Sequence, residues 1–429
     1  MTSPPRARPK PSVRSSVGIR PATASATAVA PVREAVPPRS RLTSVGAAHE
    51  PSPRTPLSAV FRADSSNYYM LLGTTLLLVF IGLIMVLSAS SVDSFLKDDN
   101  FFMGFLRQGA YAIAGVPLML LASRVPATFW RKWARVFVLA GIALQMLVVF
   151  SPLGVDSGGN RNWLAIGGFT FQPAELLKLA LALWVGIMLP VTMEKYGTTW
   201  RVLRPLVPAA IIIVLVLVGG DLGTVLVMVA MTMAALYFAG VDWKLMMIPL
   251  SIGAFGVLMM ALISPNRMSR ILSFLGAPCV DDSGACWQPL HGTWAMASGG
   301  IFGVGLGNSR AKWSWLPAAD NDYIFAIVGE ELGLIGAIVV IALFIALTVI
   351  FLRIIRAAED PTTRIVTGAI MVWLVGQAFL NIAVVLRLMP VLGVPLPFVS
   401  AGGTALLSSL VGVGVVLSFA RTQGRKKLQ

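Results

Sequence analysis

Apolar residues fall into ten long blocks along the chain, and the polar stretches between them are mostly short. A helix needs about 20 largely apolar residues to cross the hydrocarbon core of a bilayer. Each block therefore predicts one transmembrane helix, and the expected fold is an all-α polytopic integral membrane protein. The predicted spans are 69–90, 105–123, 134–152, 174–193, 206–220, 222–241, 244–264, 323–352, 366–388 and 402–420.

One polar interruption, residues 264–322, is much longer than the others. Loops of this length in a compact bundle commonly carry function. The only two cysteines, Cys279 and Cys286, lie in it, and outside a cell such a pair can form a disulfide that restrains the loop. Two unlinked thiols remain the alternative, because the sequence does not show the geometry of the pair.

Lysine and arginine in the short loops predict the orientation in the membrane. The loops after the second, fourth and eighth spans are basic, and so are both termini, so we place all of them in the cytoplasm. The long loop 264–322 is then extracellular. The basic residues of these loops and of the C-terminus are Arg124, Arg131, Lys132, Arg135, Lys195, Arg201, Arg204, Arg353, Arg356, Arg364, Arg421, Arg425, Lys426 and Lys427.

Residues 1–66 differ from the rest in composition, being rich in Pro, Ala, Ser, Thr and Val with ten basic residues. Such a segment cannot bury enough apolar surface to offset the entropy of ordering, so we expect a disordered, basic, proline-rich cytoplasmic tail. It also resembles an organellar transit peptide, but its prolines disfavour an amphipathic helix. A ten-helix domain is expected over 67–421, followed by a short basic cytoplasmic tail over 422–429.

Composition agrees with a bilayer location, since 56% of the 429 residues are hydrophobic and the mean hydropathy is +0.79. The net charge of +15 would also suit a protein that binds nucleic acid. Because this charge lies in the tail and the short loops, membrane orientation explains it. We therefore expect no nucleic acid partner.

With this orientation, ionisable residues gather at the outer ends of the spans, where they are functional candidates. Structural alternatives stay open at this point. Glu175 and Lys178, three positions apart, could form a self-neutralising ion pair, and Asp221 could cap the sixth predicted helix. Asp322 suits either the N-terminus of the eighth helix or catalysis.

Small residues recur every three or four positions along the eighth span after Asp322, forming a face that lets another helix approach closely. We assign Gly329 and Gly333 to this packing face. Glu330 lies beside it, about 12 Å along the helix from Asp322, and is expected to be a buried polar anchor between helices.

Several motifs in order along residues 67–421 resemble the shape, elongation, division and sporulation (SEDS) family. They are NRNWLAIGGFTFQPAELLKLAL, GGDLGTVLVM, RMSRILSFL, WQPLHGTWAMASGGIFGVGLGNSRAKWSWLPAADNDYIFAIVGEELGLIGA and PLPFVSAGGTALL. The resemblance implies a peptidoglycan glycosyltransferase that polymerises lipid II at the outer face of the bacterial cytoplasmic membrane. The run LGNSRAKWSWLPAA favours the branch that acts in cell division at the septum, with an elongation polymerase as the alternative.

The resemblance assigns the catalytic acid to Asp322, in a stretch where family members carry His and Thr at positions 320 and 321. Further residues either match family motifs or carry positive charge on the predicted outer side, where it would stabilise a diphosphate leaving group. The expected substrate-binding residues are Arg161, Gln172, Glu175, Lys178, Arg267, Arg270, Gln288, Lys312 and Ser400.

The implied reaction moves a growing glycan from a polyprenyl diphosphate to a sugar hydroxyl with inversion, which one general base can assist. A divalent cation, Mg or Mn, could share the leaving-group charge, although no metal-ligand cluster stands out. The resemblance also implies a class B penicillin-binding protein and other divisome membrane proteins as partners. A flippase of the lipid-linked precursor remains the rival function, because ten spans also suit a transporter.

Overall fold

The computed structural model describes residues 65–157, 160–166, 169–197, 199–276, 286–313 and 315–426, and this part of the chain is helical apart from one small sheet. A 3₁₀ turn, Trp200–Leu203, precedes α6, and a π-helical turn, Val372–Gly376, joins α12 to α13. The helices are α1 (Ser66–Ala89), α2 (Ser91–Asp98), α3 (Met103–Ala122), α4 (Ala127–Phe150), α5 (Pro173–Tyr196), α6 (Leu206–Val218), α7 (Leu222–Ala239), α8 (Trp243–Ile263), α9 (Pro265–Phe274), α10 (Trp287–Gly299), α11 (Ile324–Arg356), α12 (Pro361–Met371), α13 (Gln377–Val385) and α14 (Gly403–Lys426).

All ten apolar blocks become helices, and the all-α membrane fold is confirmed. Among the described residues, nine helices are long and apolar enough to cross a membrane, with α12 and α13 counted as one continuous span. The remaining block is α6, whose 13 residues cover only about 20 Å. It is therefore shorter than both the predicted span and the hydrocarbon core.

Small residues let the helices approach closely. α14 packs along α3, α4 along α5, and α12 along both α5 and α7. Gly186 on α5 lies so near α12 that an added Cβ would overlap the side chain of Val366, and Gly414 on α14 approaches the backbone of Met119 on α3 in the same way. Such contacts are typical of helix interfaces in lipid, where close packing replaces the hydrophobic effect.

The two ends of the bundle differ in charge. At one end, Arg131 near the start of α4 and Asp360, the N-cap of α12, form an ion pair at 2.6 Å. Ser65 before α1 donates a hydrogen bond to the carbonyl of Ala420 on α14 at the same end. We name it the basic end, because it carries the Lys and Arg of the predicted cytoplasmic loops. The opposite end, with the α6–α7 hairpin, is named the cavity end.

A three-stranded antiparallel sheet lies between α4 and α5, where the hydropathy pattern indicates only a loop. Strands β1 (Gly154–Ser157), β2 (Asn160–Ile166) and β3 (Phe169–Phe171) pair in chain order. Asn162 and Leu164 on β2 are buried and alternate with more exposed neighbours, as expected for a half-buried strand. The sheet closes one side of the cavity end.

The predicted long loop 264–322 contains α9 and α10, followed by turns and irregular segments within 300–313 and 315–322. Residues 277–285, which include Cys279, lie outside the described part of the chain, so the candidate disulfide to Cys286 stays a prediction. The tail predicted over 1–66 also lies outside it, apart from residues 65 and 66. At the other terminus, α14 continues past the expected domain end at residue 421 to Lys426.

Gly333 interrupts α11, which corrects the expectation of one continuous helix. Its φ of 68° and ψ of −165° are not helical, and this conformation is accessible essentially to glycine alone. The kink frees the carbonyls of Glu330 and Glu331, which accept hydrogen bonds from the backbone N–H groups of Val304 and Gly305 at 2.9 and 3.0 Å. The segment after α10 thus docks on the kink.

Candidate functional site

A cavity of about 570 Å³ lies at the cavity end of the bundle. Strand β2, the first turn of α5, the α6–α7 hairpin, α9, the turn before α11 and the segment before α14 all contribute to its wall. Polar side chains are combined there with apolar ones from α7 and α8. The polar lining residues are Asn160, Asn162, Gln172, Glu175, Asp221, Thr224, Arg267, Arg270, Gln288, Asn321, Asp322 and Thr404.

Asp322 lies in the turn before α11 and is partly exposed to the cavity. The N-cap of α11 is Tyr323. Asp322 therefore does not cap this helix. Among the described residues, none donates a hydrogen bond to its carboxylate. Desolvation by the surrounding protein raises the pKa of Asp322 to about 7; the charge of Asp221 adds to this effect and the guanidinium of Arg270 opposes it.

The neighbouring Asp320 is a weaker candidate. Burial raises the pKa of the Asp320 carboxyl as well, but Asp320 is not among the residues that line the cavity. Of the two acids in this turn, only Asp322 faces the space in which a substrate would bind.

Asp221 has a structural role and also faces the cavity. Its Oδ1 accepts a hydrogen bond from the backbone N–H of Thr224 at 2.9 Å, which confirms the predicted cap of α7. Its Oδ2 accepts one from the side chain of Gln172, also at 2.9 Å. Burial raises the pKa of Asp221, and the hydrogen bonds from Thr224 oppose that rise. Because both oxygens are held, the Asp221 carboxylate is a fixed part of the wall.

Arg267 and Arg270 on α9 bring positive charge to the cavity. Arg267 donates hydrogen bonds to the side-chain oxygen of Asn160 at 3.0 Å and to the carbonyl of Gly220, and so ties α9 to β2 and to the hairpin. Its Nη1 is buried and has no hydrogen-bond partner among the described residues. Burial lowers the pKa of the Arg267 guanidinium. A buried cationic donor without a partner suits an anionic ligand.

The cavity brings together five of the nine predicted substrate-binding residues. Gln288 on α10 is one of them, and its side chain donates a hydrogen bond to the carbonyl of Pro317 at 2.9 Å. The five residues are Gln172, Glu175, Arg267, Arg270 and Gln288.

The other four do not line the cavity. Arg161 donates hydrogen bonds to the carbonyls of Val148 and Ser151 at 3.0 and 2.6 Å, which fixes β2 against the end of α4. Ser400 Oγ donates to the carbonyl of Asn321 at 2.6 Å. Both side chains therefore bind the protein's own backbone.

Lys178 and Lys312 are buried, and each lies beside a carboxylate. Lys178 Nζ is 2.7 Å from Glu175, which is the ion pair that the sequence left open, and it also donates to Gln377 at 2.9 Å. Lys312 Nζ is 3.5 Å from Glu331. Removing one member of a buried pair leaves an uncompensated charge, so each pair stabilises its surroundings as a unit.

Glu330 anchors a loop. Its carboxylate accepts hydrogen bonds from Ser309 Oγ at 2.5 Å and from the backbone N–H of Arg310 at 2.9 Å, so it ties the segment after α10 to α11. Gly329 lies against Met296 of α10, in agreement with the predicted packing face.

Neutral polar residues complete the cavity, and the sequence did not single them out. They are Asn160, Asn162, Thr224, Asn321 and Thr404. Charge at membrane depth marks a residue as a candidate, whereas an amide or a hydroxyl near a helix end has no comparable signal. Their positions inside or beside the motifs that resemble the family were the one available indication.

Among the described residues, no group of three or more His, Cys, Asp or Glu side chains is arranged to hold a metal ion. Asp221 and Asp322 offer carboxylate oxygens to one cavity. Mg²⁺ is commonly held by one or two carboxylates together with substrate phosphates. These two carboxylates fit a divalent cation if the diphosphate of the substrate supplies further oxygen ligands. The expected Mg or Mn stays a prediction.

Known membrane proteins resemble the chain along nearly all of its helical part. The family model of FtsW, RodA and SpoVE, described as cell cycle protein, matches residues 68–425. The probable peptidoglycan glycosyltransferase FtsW of Mycobacterium tuberculosis is 34% identical over 370 residues, covering 86% of this chain and 70% of the relative. Stage V sporulation protein E of Bacillus subtilis is 37% identical over 351 residues, covering 81% of this chain and 95% of the relative.

Two solved structures share the fold. A chain from a structure of a peptidoglycan synthase complex, on the coordination of polymerization and crosslinking, aligns with a TM-score of 0.66 at 23% identity, covering 83% of this chain and 98% of that one. The rod shape determining protein RodA of Thermus thermophilus aligns with a TM-score of 0.61 at 22% identity, covering 83% and 97%. At these identities the likeness concerns the fold.

Proposed function

Because the chain belongs to the FtsW, RodA and SpoVE family of cell cycle proteins, we propose that it is a peptidoglycan glycosyltransferase that polymerises lipid II into glycan strands during septal wall synthesis. Relatives from Mycobacterium tuberculosis and Geobacter metallireducens, 34% and 37% identical, carry the name probable peptidoglycan glycosyltransferase FtsW. The observation that carries the proposal is the carboxylate of Asp322, which faces a cavity that also holds Arg267 and Arg270.

In the proposed reaction, the sugar hydroxyl of the acceptor attacks the anomeric carbon of the donor glycan. The new C–O bond forms as the bond from that carbon to the diphosphate oxygen breaks, which inverts the anomeric centre. Asp322 accepts the hydroxyl proton as general base. A base is most effective when its pKa is near the working pH, and burial raises the pKa of Asp322 to about 7.

The leaving diphosphate gains negative charge as its bond to carbon breaks. Preorganised cationic donors lower the energy of that state. We assign this stabilising role to Arg270 and Arg267, which line the same cavity as Asp322. The Nη1 atom of Arg267 has no hydrogen-bond partner among the described residues and can donate to the diphosphate. Asn160 holds the other side of the Arg267 guanidinium and so orients it.

We place the cavity end outside the cell, both termini in the cytoplasm, and the protein at the septum. The gathering of basic loops at the opposite end supports this orientation, because Lys and Arg are retained on the cytoplasmic side. We also expect a class B penicillin-binding protein and other division membrane proteins as partners. The fold-related chain from a peptidoglycan synthase complex supports a partner of this kind.

A flippase for the lipid-linked precursor is the rival function. Transporters usually bind substrate near the bilayer midplane, between repeated halves. The polar residues of this cavity lie instead at helix ends and in the connecting segments, which favours chemistry at the surface.

The experiment that separates the two functions uses the full chain with its partner penicillin-binding protein in liposomes supplied with fluorescent lipid II. Glycan ladders on a gel support the polymerase. Movement of labelled lipid II across the bilayer without polymer would contradict it.

A further inference from the structure

Three consecutive peptide carbonyls in the turn that carries the proposed base accept hydrogen bonds from two neighbouring parts of the fold, the segment before α14 and helix α13. The carbonyls of residues 320, 321 and 322 accept hydrogen bonds, in that order, from the backbone N–H of Ala401 at 2.8 Å, from Ser400 Oγ at 2.6 Å and from Asn381 Nδ2 at 2.7 Å. The third donor differs from the others, because it comes from a membrane-spanning helix, α13.

Asn381 holds a second backbone segment with the same nitrogen. Its Nδ2 also donates to the carbonyl of Val394 at 2.7 Å, and the side chain is only 2% exposed. Both neighbours are carbonyl oxygens, which can only accept, so the amide must direct its two N–H bonds at them. One buried side chain therefore joins the backbone of Asp322 to that of Val394.

Gly393, next to Val394, lies beside the Asp322 carboxylate. Its φ is 69°, and a Cβ built on it would lie 3.5 Å from Asp322 Oδ2. The segment that Asn381 joins to the backbone of Asp322 therefore also lies beside the Asp322 carboxylate. Because no described residue donates a hydrogen bond to that carboxylate, its place in the cavity depends on this backbone.

The helix that carries Asn381 is itself fixed. Gln377, one turn earlier on α13, donates a hydrogen bond to the carbonyl of Pro395 at 2.8 Å and accepts one from Lys178 at 2.9 Å. Side chains four positions apart lie on one face of a helix. This face of α13 thus contacts the 394–395 segment at two points, and only Asn381 extends the link to Asp322.

We propose that Asn381 is the positioning residue for Asp322, an inference that rests on the proposed function. Asn381 does not touch the reacting atoms. It fixes the peptide group of Asp322 relative to Gly393, and so aims the carboxylate at the acceptor hydroxyl.

The test compares steady-state polymerisation of lipid II by the wild type and Asn381→Ala, each with the partner penicillin-binding protein. We expect kcat to fall about 10- to 100-fold, since a misplacement of about 1 Å can cost this much. The KM for lipid II should stay within about threefold, because the arginines of α9 are untouched. The pH midpoint of kcat should also move down, since a released carboxylate reaches water more easily.

Gln145→Leu is the matched control. Gln145 is another buried side-chain amide on a spanning helix, and neither of its polar atoms has a hydrogen-bond partner among the described residues. We expect it to keep wild-type kcat and pH midpoint. An equal loss in both variants, or a lower kcat in Asn381→Ala without any shift of the pH midpoint, would assign Asn381 a merely structural role and overturn the proposal.

Asn381→Leu keeps the test decisive if Asn381→Ala does not fold, because it nearly preserves the volume of the buried side chain and removes both of its hydrogen bonds to backbone carbonyls. A fall in kcat of at least about threefold with unchanged KM supports the proposal, and wild-type kinetics overturn it. Asp322→Asn distinguishes failure of the proposed base from failure of the proposed positioning role. Full activity in that variant means that the proposed base is wrong, whereas its inactivity beside a fully active Asn381→Ala means that only the positioning inference fails.

Discussion

The contacts of each acid decide what it can do in this molecule. Glu175 is neutralised by Lys178 at 2.7 Å, and Glu330 accepts a hydrogen bond from Ser309 Oγ at 2.5 Å. Asp322 has no such donor among the described residues and faces a cavity. A carboxylate whose oxygens are occupied stabilises the fold, whereas one whose oxygens are open can accept a proton from a substrate.

The pH dependence of polymerisation follows from this position. Asp322 must be deprotonated to act as a base, and burial raises its pKa to about 7. The rate should therefore rise with pH through a midpoint near 7, and at pH 6 should be about tenfold below its plateau. Initial rates of lipid II polymerisation between about pH 5.5 and 8.5 measure this profile.

Arg270→Gln should shift the pH midpoint of the polymerisation rate. The guanidinium of Arg270 opposes the rise in the pKa of Asp322, so its removal should move the midpoint to higher pH. A profile that stays flat across this range in the wild type would rule out Asp322 as the titrating base.

The sequence could identify Asp322 only through its family resemblance, because capping and catalysis call for the same residue type at a helix start. Arg161 and Lys178 were expected at the substrate for their charge and motif position. In the structure their charges are directed at the backbone of Val148 and at Glu175. Contacts between residues distant in sequence decided these roles, and no local pattern encodes them.

At the scale of the elements, the break in α11 connects the loop after α10 to the helix that follows Asp322. The N–H groups of Val304 and Gly305 replace the helical partners that Glu330 and Glu331 lose at the kink. The kink requires Gly333, whose φ is 68°.

Gly333→Ala should therefore destabilise the protein. The conformation at Gly333 costs a residue with a Cβ about 1–3 kcal/mol, and that Cβ would also overlap the backbone of Ile301 and Gly303. Thermal unfolding in detergent should show a lower midpoint for Gly333→Ala. Gly73→Ala is the control, since Gly73 lies within α1 with open space around it and alanine favours a helix. Equal unfolding midpoints for the two variants would contradict the requirement for glycine at position 333.

The hydropathy pattern predicted the spanning helices well, because lipid requires long apolar runs with internal hydrogen bonds. It did not predict the sheet of β1 to β3, whose strands of three to seven residues are too short to give a clear alternation. The sequence predicts helix packing at Gly333 and not a kink, because a single glycine in a helical pattern is compatible with both close approach and a break.

At the scale of the whole molecule, positive charge gathers at one end and the cavity lies at the other. The ion pair between Arg131, near the start of α4, and Asp360, the N-cap of α12, lies at the basic end. Arg267, Arg270 and Asp322 meet at the opposite end. This separation agrees with an enzyme whose basic loops lie in the cytoplasm and whose active site lies outside the cell.

Single cysteines test this orientation in a background with Cys279→Ser and Cys286→Ser. A membrane-impermeant maleimide added to intact cells should label Asp156→Cys, at the cavity end, and leave Thr199→Cys, after α5, unlabelled. Both positions are exposed in the structure, so accessibility alone does not separate them. Labelling of Thr199→Cys in intact cells would reverse the orientation.

The central claim is that Asp322 is the general base of glycan polymerisation. Its most direct test is the initial rate of lipid II polymerisation by Asp322→Asn, which keeps the shape of the side chain and removes its basicity. Asp156→Asn is the control, an exposed aspartate of β1 that does not line the cavity. We predict that Asp322→Asn lowers the rate about 10²- to 10⁴-fold while Asp156→Asn keeps the wild-type rate. Polymer formation by Asp322→Asn at the wild-type rate would contradict the claim.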